Sequence, residues 1–261
     1  MDANFAAATQ LIREAAGLGA NFITTPEMTN ILEPDRAQLK SLVRPESEDR
    51  SVSAFAALAK ELGIWLNIGS LALKGDGDRL VNRSLLFSAD GTLICRYDKL
   101  HLFDVDLPTG ERLRESEAYA PGERIVNADL PWCRLGLTIC YDVRFPALYR
   151  ALGQAGAAVI TVPSAFTVPT GEAHWHVLLR ARAIENGCYV LAAAQGGLHE
   201  SGRETYGHSL AVSPWGEIIA EAGIEPGIIV VEIDPEEAAS ARRRIPALSH
   251  DRPFSLSGSG A

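Results

Sequence analysis

Residues 134–146 read Arg134-Leu135-Gly136-Leu137-Thr138-Ile139-Cys140-Tyr141-Asp142-Val143-Arg144-Phe145-Pro146. The apolar run up to Ile139 makes Arg134–Ile139 a buried strand, and the abrupt change to Tyr141-Asp142 ends it. Phe145–Gly153 then reads as a helix. A strand that breaks into a turn and a helix is the building unit of α/β folds, which gather their active sites at the C-terminal ends of strands. Cys140 stands at such an end. The turn after it can expose a sulfur and aim the next backbone N–H groups at the same space, as an oxyanion requires.

Working outward from this unit, the chain begins with an amphipathic helix whose stripe is Phe5, Ala8, Leu11, Ile12 and Ala15, closing at Gly17–Gly19. A short β-branched strand follows at Asn21–Thr25, and Pro26 stops it, so Glu27 falls just beyond the strand end. Ser51–Gly63 is a second helix and Ile64–Leu71 a second strand. Arg79–Ser88 and Thr92–Asp98 form a hairpin around Ala89-Asp90-Gly91, which carries Lys99 to its end. Leu100–Pro121 is a long irregular stretch holding Asp104, Asp106, Glu111, Glu115 and Glu117, and such long loops in compact domains usually serve function. On the other side lie a strand at Ala157–Val162 and a helix at Glu172–Gly187 with Val177, Ala181, Ile184 and Cys188 on its apolar side. Strands are expected at Cys188–Gln195, Ser209–Ser213, Glu217–Ala222 and Ile228–Ile233. A helix after Pro235 ends in Arg242-Arg243-Arg244, where basic residues suit the macrodipole and a capping role is expected.

Strands alternate with helices early and follow one another late, which implies sheets faced by helices in layers. No internal repeat or linker divides the chain, so residues 1–261 read as one domain with a mobile Ser-Gly tail at about 255–261.

With 47% hydrophobic residues the chain can bury a large single core, and its formal net charge of −9 argues against nucleic acid, whose phosphates need clustered Lys and Arg. No stretch is long and apolar enough for a membrane span, and the opening lacks the pattern of a secretory signal. Cys95, Cys133, Cys140 and Cys188 form no C-x-x-C pair and no zinc spacing, which fits a reducing, cytoplasmic setting. His174 and His176 lie two apart and point to different helix faces, so no metal is expected.

Glu27, Lys99 and Cys140 each fall where an expected strand runs out. A thiol attacking an amide needs a base, a donor for the developing oxyanion and a route returning the proton to the leaving amine. Glu27 can act as base and then acid. Lys99 can hold the oxyanion, and a nearby ammonium lowers a thiol pKa. Taken singly, each has a plain alternative: a core cysteine or an exposed charge. Cys95, Cys133 and Cys188 are assigned to the core. Ser164 lacks the flanking glycines of a serine elbow, no Walker or Rossmann pattern follows a strand, and a Cys-His pair with His101, His174 or His208 stays open on residue types alone.

Three blocks, Thr25-Pro26-Glu27, Tyr97–Asp104 and Ile139–Pro146, make the chain resemble the nitrilase, or carbon-nitrogen hydrolase, superfamily along nearly its whole length. Pro163-Ser164-Ala165-Phe166, Thr170–Trp175, Arg180–Glu185 and Tyr206–Ser209 resemble its branch containing deaminated glutathione amidase and omega-amidase. The resemblance implies an αββα sandwich and a Glu27-Lys99-Cys140 triad with a thioester intermediate and no cofactor. It implies Glu115 as a second active-site glutamate that orients substrate and Lys99. Substrate binding would fall to Tyr141, Arg144, Phe166 and Thr170, with Arg144 as the carboxylate partner. The expected substrate is a small 2-oxo acid amide, deaminated glutathione first and 2-oxoglutaramate second; the alternative is a non-catalytic binding protein on the same fold. A homodimer is also implied. The family places a strand before the first helix, yet Met1 falls almost directly before Asn4. Lack of this strand is expected to expose backbone donors and apolar surface.

Overall fold

The computed structural model describes residues 1–107 and 110–255; the tail expected over 255–261 lies, from 256 on, outside them. The first sheet joins β1 (Phe22–Thr24), β2 (Trp65–Lys74), β3 (Leu80–Phe87) and β4 (Leu93–Asp98) in that order. β1 and β2 run parallel and the rest antiparallel. Two short strands, β5 (Asp104–Asp106) and β6 (Arg112–Arg114), pair within the expected irregular loop. The second sheet uses β7 (Val126–Asp129), β8 (Arg134–Leu137), β9 (Val159–Thr161), β10 (Tyr189–Ala192), β13 (Leu210–Val212) and β14 (Ile218–Glu221), in the order β14-β13-β10-β9-β8-β7. Between β10 and β13, β11 (Gly196–Leu198) and β12 (Glu204–Tyr206) form a separate hairpin.

Apolar residues decide the layering. Helices α1 (Asp2–Gly17) and α3 (Arg50–Leu62) cover the first sheet through Ile12, Ala15, Phe55 and Leu58, which join Leu66, Ile68 and Leu85 in one core cluster; the short α2 (Arg36–Leu42) lies between them in the chain. Helices α4 (Pro146–Gln154) and α5 (Val168–Asn186) cover the second through Leu148, Leu152, Trp175 and Leu179. Leu86 and Tyr97 of the first sheet belong to that second cluster, so the sheets face each other. The result is the four-layer αββα arrangement. One approach between the sheets is very close: a Cβ on Gly69 in β2 would lie 1.9 Å from the Thr25 carbonyl oxygen and 2.5 Å from Pro163 Cβ. Only a residue without a side chain lets the end of β1 and the loop after β9 meet there.

Three expectations change. Val177 and Ile184 are 69% and 54% exposed, so the stripe read on α5 faces outward. The buried face is Trp175, Leu179, Arg182, Ala183 and Asn186, at the same helical spacing. The donors of its two polar members are met, Arg182 Nε by the Val143 carbonyl and Asn186 Nδ2 by the Arg182 carbonyl, which hides the face from a reading by hydrophobicity. Second, Ile228–Ile233 forms no strand. It borders, with the free edge of β1, a cleft of about 1110 Å³ that separates the two segments, so neither finds a ladder partner. Third, Arg242, in α6 (Pro235–Arg244), donates to the carbonyls of Asn186 and Ala157 and thus closes the end of α5 rather than that of its own helix. No described helix is long and apolar enough to cross a membrane.

Gly69→Ala should destabilise the fold by about 1–3 kcal/mol or more, since the clash is with backbone and a ring carbon that cannot swing away. Gly17→Ala, with nothing within 4 Å of its new Cβ, should be neutral or stabilise by up to about 1 kcal/mol. Urea denaturation of the two variants beside the parent checks the contrast, and equal behaviour would contradict the close approach.

Candidate active site

Cys140 sits where β8 passes into a 3-10 turn, Cys140–Arg144, with φ at +49°. This left-handed conformation is costly for a residue with a Cβ and is held by its surroundings. Cys140 N–H donates to the Pro163 carbonyl at 2.8 Å. The fully buried Asp142 does most of the holding: Oδ2 accepts from Tyr97 Oη at 2.6 Å and from Ile139 N–H at 2.9 Å. Its Oδ1 accepts from His101 N–H at 3.1 Å and lies 2.7 Å from His101 Nδ1. The His101 ring in turn stacks on Phe145, with centroids 3.5 Å apart. A Cys140-His101 catalytic pair is therefore not formed; His101 serves Asp142.

Glu27 and Lys99 come from the other sheet. Pro26 ends β1, and Met28 N–H donates to Ser70 Oγ, with Met28 at φ +56°, which turns the chain so that Glu27 points inward. Lys99 ends β4, its N–H bonded to the Asn82 carbonyl at 3.0 Å and its carbonyl accepting from Gly122 N–H. Lys99 Nζ donates to Glu27 Oε1 at 2.9 Å and to Glu115 Oε2 at 2.8 Å and Oε1 at 3.1 Å. Asn82 Nδ2 donates to Glu27 Oε1 at 2.8 Å and reaches Glu115 Oε1 at 3.3 Å. Phe103 N–H donates to Glu115 Oε2 at 2.6 Å, so the loop after β4 is wrapped around that carboxylate. Gln195, between β10 and β11, ties the Glu27 carbonyl with its amide at 3.1 Å. The structure thus brings together Glu27, Lys99, Cys140 and Glu115, all but excluded from water.

Burial works against both charges in this group, and the partners overrule it. Burial would raise Glu27, but Lys99, the Cys140 thiol and Asn82 hold its carboxyl below the usual 4.5. Burial would lower Lys99, but Glu115, Glu27 and Cys140 hold its ammonium well above 10.5. For Cys140 burial comes first and the Glu27 charge adds to it; Lys99 and the Ala165 N–H oppose, and the thiol ends well above its ordinary range. The expected lowering by Lys99 exists but is outweighed. Cys140 and Glu27 shift one another without forming an aligned hydrogen bond, so the resting site holds a thiol beside a carboxylate base. Cys188, raised by burial to about 12, and Cys95 and Cys133, raised to about 11, lack such companions.

Beside Cys140, the Arg144 guanidinium lies 5.5 Å from the Phe166 ring centroid and 5.9 Å from that of Tyr141. Both of its terminal nitrogens are 3.3 Å from His174 Nδ1. Tyr141, Arg144 and Phe166 therefore share one wall. Thr170 is a turn away, its hydroxyl 2.8 Å from that of Thr167. His176 bonds Glu221 instead. Asn82 and Asp142 were not singled out from sequence, and His174 was considered only as a partner for Cys140 or a metal. Asn82 had no distinct signal, because it stands in the polar run Asn82-Arg83-Ser84 within the Leu80–Phe87 strand, and burial rather than residue type marks it.

Comparison with known proteins places this geometry. The carbon-nitrogen hydrolase family model matches residues 1–243. A deaminated glutathione amidase of Yersinia enterocolitica is 42% identical over 90% of this chain and 82% of its own. The Caenorhabditis elegans NitFhit protein superposes with a TM-score of 0.90 at 38% identity, covering 97% of this chain, which spans 62% of that protein. A mutant amidase from Nesterenkonia sp. AN1, carrying acrylamide added at its active-site cysteine, gives a TM-score of 0.76 at 28% identity over 92% of this chain and 90% of its own.

Glu27's depressed carboxyl contributes stability that is present above 4.5 and lost as pH falls through its lower folded value. Lys99's raised ammonium contributes stability that is present below 10.5 and lost as pH rises through its higher folded value. Lys99→Met, which strands Glu27 and Glu115 unpaired, should cost about 3–5 kcal/mol at neutral pH. The loss should shrink on acidification, because the stranded carboxyls then take up protons. Urea denaturation at pH 7 and pH 5 measures both parts; a loss independent of pH would contradict the coupling.

Proposed function

We propose, starting from the fact that the chain belongs to the carbon-nitrogen hydrolase family, that it hydrolyses the amide of deaminated glutathione to 2-oxoglutarate and cysteinylglycine, using Cys140 as nucleophile. The observation that carries this is the contiguous buried set Glu115-Lys99-Glu27 set against the Cys140 thiol, with a guanidinium, Arg144, on the adjoining wall. Glu27 takes the thiol proton as Sγ attacks the amide carbonyl carbon. Lys99 Nζ and the N–H of Tyr141, the residue after the nucleophile, hold the oxyanion. The tetrahedral species collapses with cleavage of the C–N bond, and Glu27 returns its proton to the leaving amine. Water then attacks the thioester, giving up a proton to Glu27, and the acid leaves as the thiol is restored. Glu115 keeps Lys99 charged and in place throughout.

Arg144 is assigned the 2-oxo carboxylate, to which it offers paired N–H donors. Phe166 and Tyr141 line the acyl chain, and Thr170 supplies a hydroxyl at the pocket's edge. The chain works as one domain in a cytoplasmic setting. Val177, Ile184 and Trp215, all more than half exposed, lie together, since Gly216 packs on Ile184. This apolar patch supports assembly as a homodimer through the outer face of α5.

Deaminated glutathione and 2-oxoglutaramate assayed side by side should show higher kcat/KM for the first; the reverse order makes 2-oxoglutaramate the substrate, and neglect of both removes the substrate class. Cys140→Ala should fold normally and lose at least roughly 10⁴-fold in turnover, whereas normal turnover would remove the nucleophile assignment. Val177→Glu with Ile184→Glu should halve the mass seen by light scattering if α5 forms the interface.

A further inference from the structure

Outside the set described so far, one cation near the thiol has no counter-charge. Arg203 lies at the foot of the hairpin formed by β11 and β12. Its Nη2 donates to the Ala165 carbonyl at 3.3 Å, the only side-chain hydrogen bond it makes among the described residues. Its Nε is buried from solvent with no partner at all. None of the ion pairs formed among the described residues includes Arg203. A guanidinium carries five donors in a rigid fork, and leaving one of them buried and unmet costs free energy that a ligand can recover.

Its position is set by several backbone contacts. Thr205 bridges Thr167, Tyr206 N–H donates to the Phe166 carbonyl at 2.9 Å, and His199 N–H to the Arg203 carbonyl at 2.9 Å. The hairpin is thereby clamped onto the Ser164–Thr167 segment. That same segment meets the nucleophile, since the Ala165 N–H acts on the Cys140 thiol. Arg144 stacks over Phe166, the next residue. Two guanidiniums, Arg144 and Arg203, therefore flank Ala165-Phe166 beside the reacting sulfur. Tyr119 feels Arg203 together with Glu115, Glu27 and Lys99, which puts all five groups in one neighbourhood.

We infer that Arg203 forms a second anion subsite, one that receives the terminal carboxylate of the leaving peptide while Arg144 holds the carboxylate of the acyl part. The inference rests on the proposed substrate class and extends it. The substrate it describes is a dianionic amide with a carboxylate on each side of the scissile bond. An amide that releases only ammonia has no group to place there. A peptidyl leaving group does, and the free donors of Arg203 then give a site that selects between the two.

Arg203→Gln separates these cases. Relative to 2-oxoglutaramate, kcat/KM for deaminated glutathione should fall about 10–100-fold, the loss expected for one charge-assisted pair. A loss common to both substrates, as expected if Arg203 only braces Ala165, cancels in that ratio. Calorimetric titration of cysteinylglycine into the Cys140→Ala protein gives a readout without turnover. The dipeptide should bind at least about 10-fold more weakly once Arg203→Gln is added. An unchanged ratio, or dipeptide binding indifferent to the substitution, overturns the subsite. If the wild-type protein hydrolyses neither amide, the substrate class falls, and the dipeptide titration still decides the subsite.

Discussion

The ammonium of Lys99, 2% exposed and held between Glu27 and Glu115, is the interaction on which the rest of the site depends. Removing a charge from water costs several kcal/mol, and only close counter-charges with satisfied hydrogen bonds offset it. Two carboxylates around one ammonium leave a net negative group, so further donors are required. Asn82 and the Phe103 N–H supply them. Each comes from a different segment, β1, β3, β4 and the loop after it, and those segments can meet only if the first sheet has the observed order. The architecture and the ion cluster are thus one constraint: no strand of this sheet can slip in register without stranding a buried charge.

How much of this was legible in the sequence follows from what each residue type signals. Strand ends are marked by abrupt polarity changes, so Glu27, Lys99 and Cys140 stood out, and the layered α/β class followed from the order of helices and strands. Asn82 did not stand out, because it belongs to the polar run Asn82-Arg83-Ser84, and residue type does not say which of the three braces a carboxylate. Asp142 looked like an ordinary turn residue, although its two oxygens hold the elbow from both sides. The face of α5 was misread for a related reason: Arg182 Nε and Asn186 Nδ2 are buried with backbone carbonyls as acceptors, and hydropathy carries no record of partners. Ile228–Ile233 has the composition of a strand, but composition does not supply the neighbouring edge that a ladder needs.

The electrostatics explain why such a site needs its substrate in order to react. The resting thiol is pushed up by burial and by the very carboxylate that serves as its base, so a free thiolate is not the stable state. Deprotonation becomes favourable only when negative charge moves from sulfur onto a carbonyl oxygen beside Lys99, that is, during attack itself. On the proposed mechanism, thiol and base are then matched in one concerted transfer.

The same logic governs how an acidic substrate enters a chain whose formal net charge is −9. At long range the protein repels a dianion, although salt screens that repulsion beyond about 10 Å. At short range Glu27 and Glu115 are neutralised in part by Lys99, and Arg144 lacks a carboxylate partner, facing only two aromatic rings and an imidazole nitrogen. A guanidinium kept apart from acidic side chains and half-buried against aromatic rings offers its charge to a ligand with little competition. On the proposed reading, specificity is then set by the cations around the sulfur and not by the negative surface.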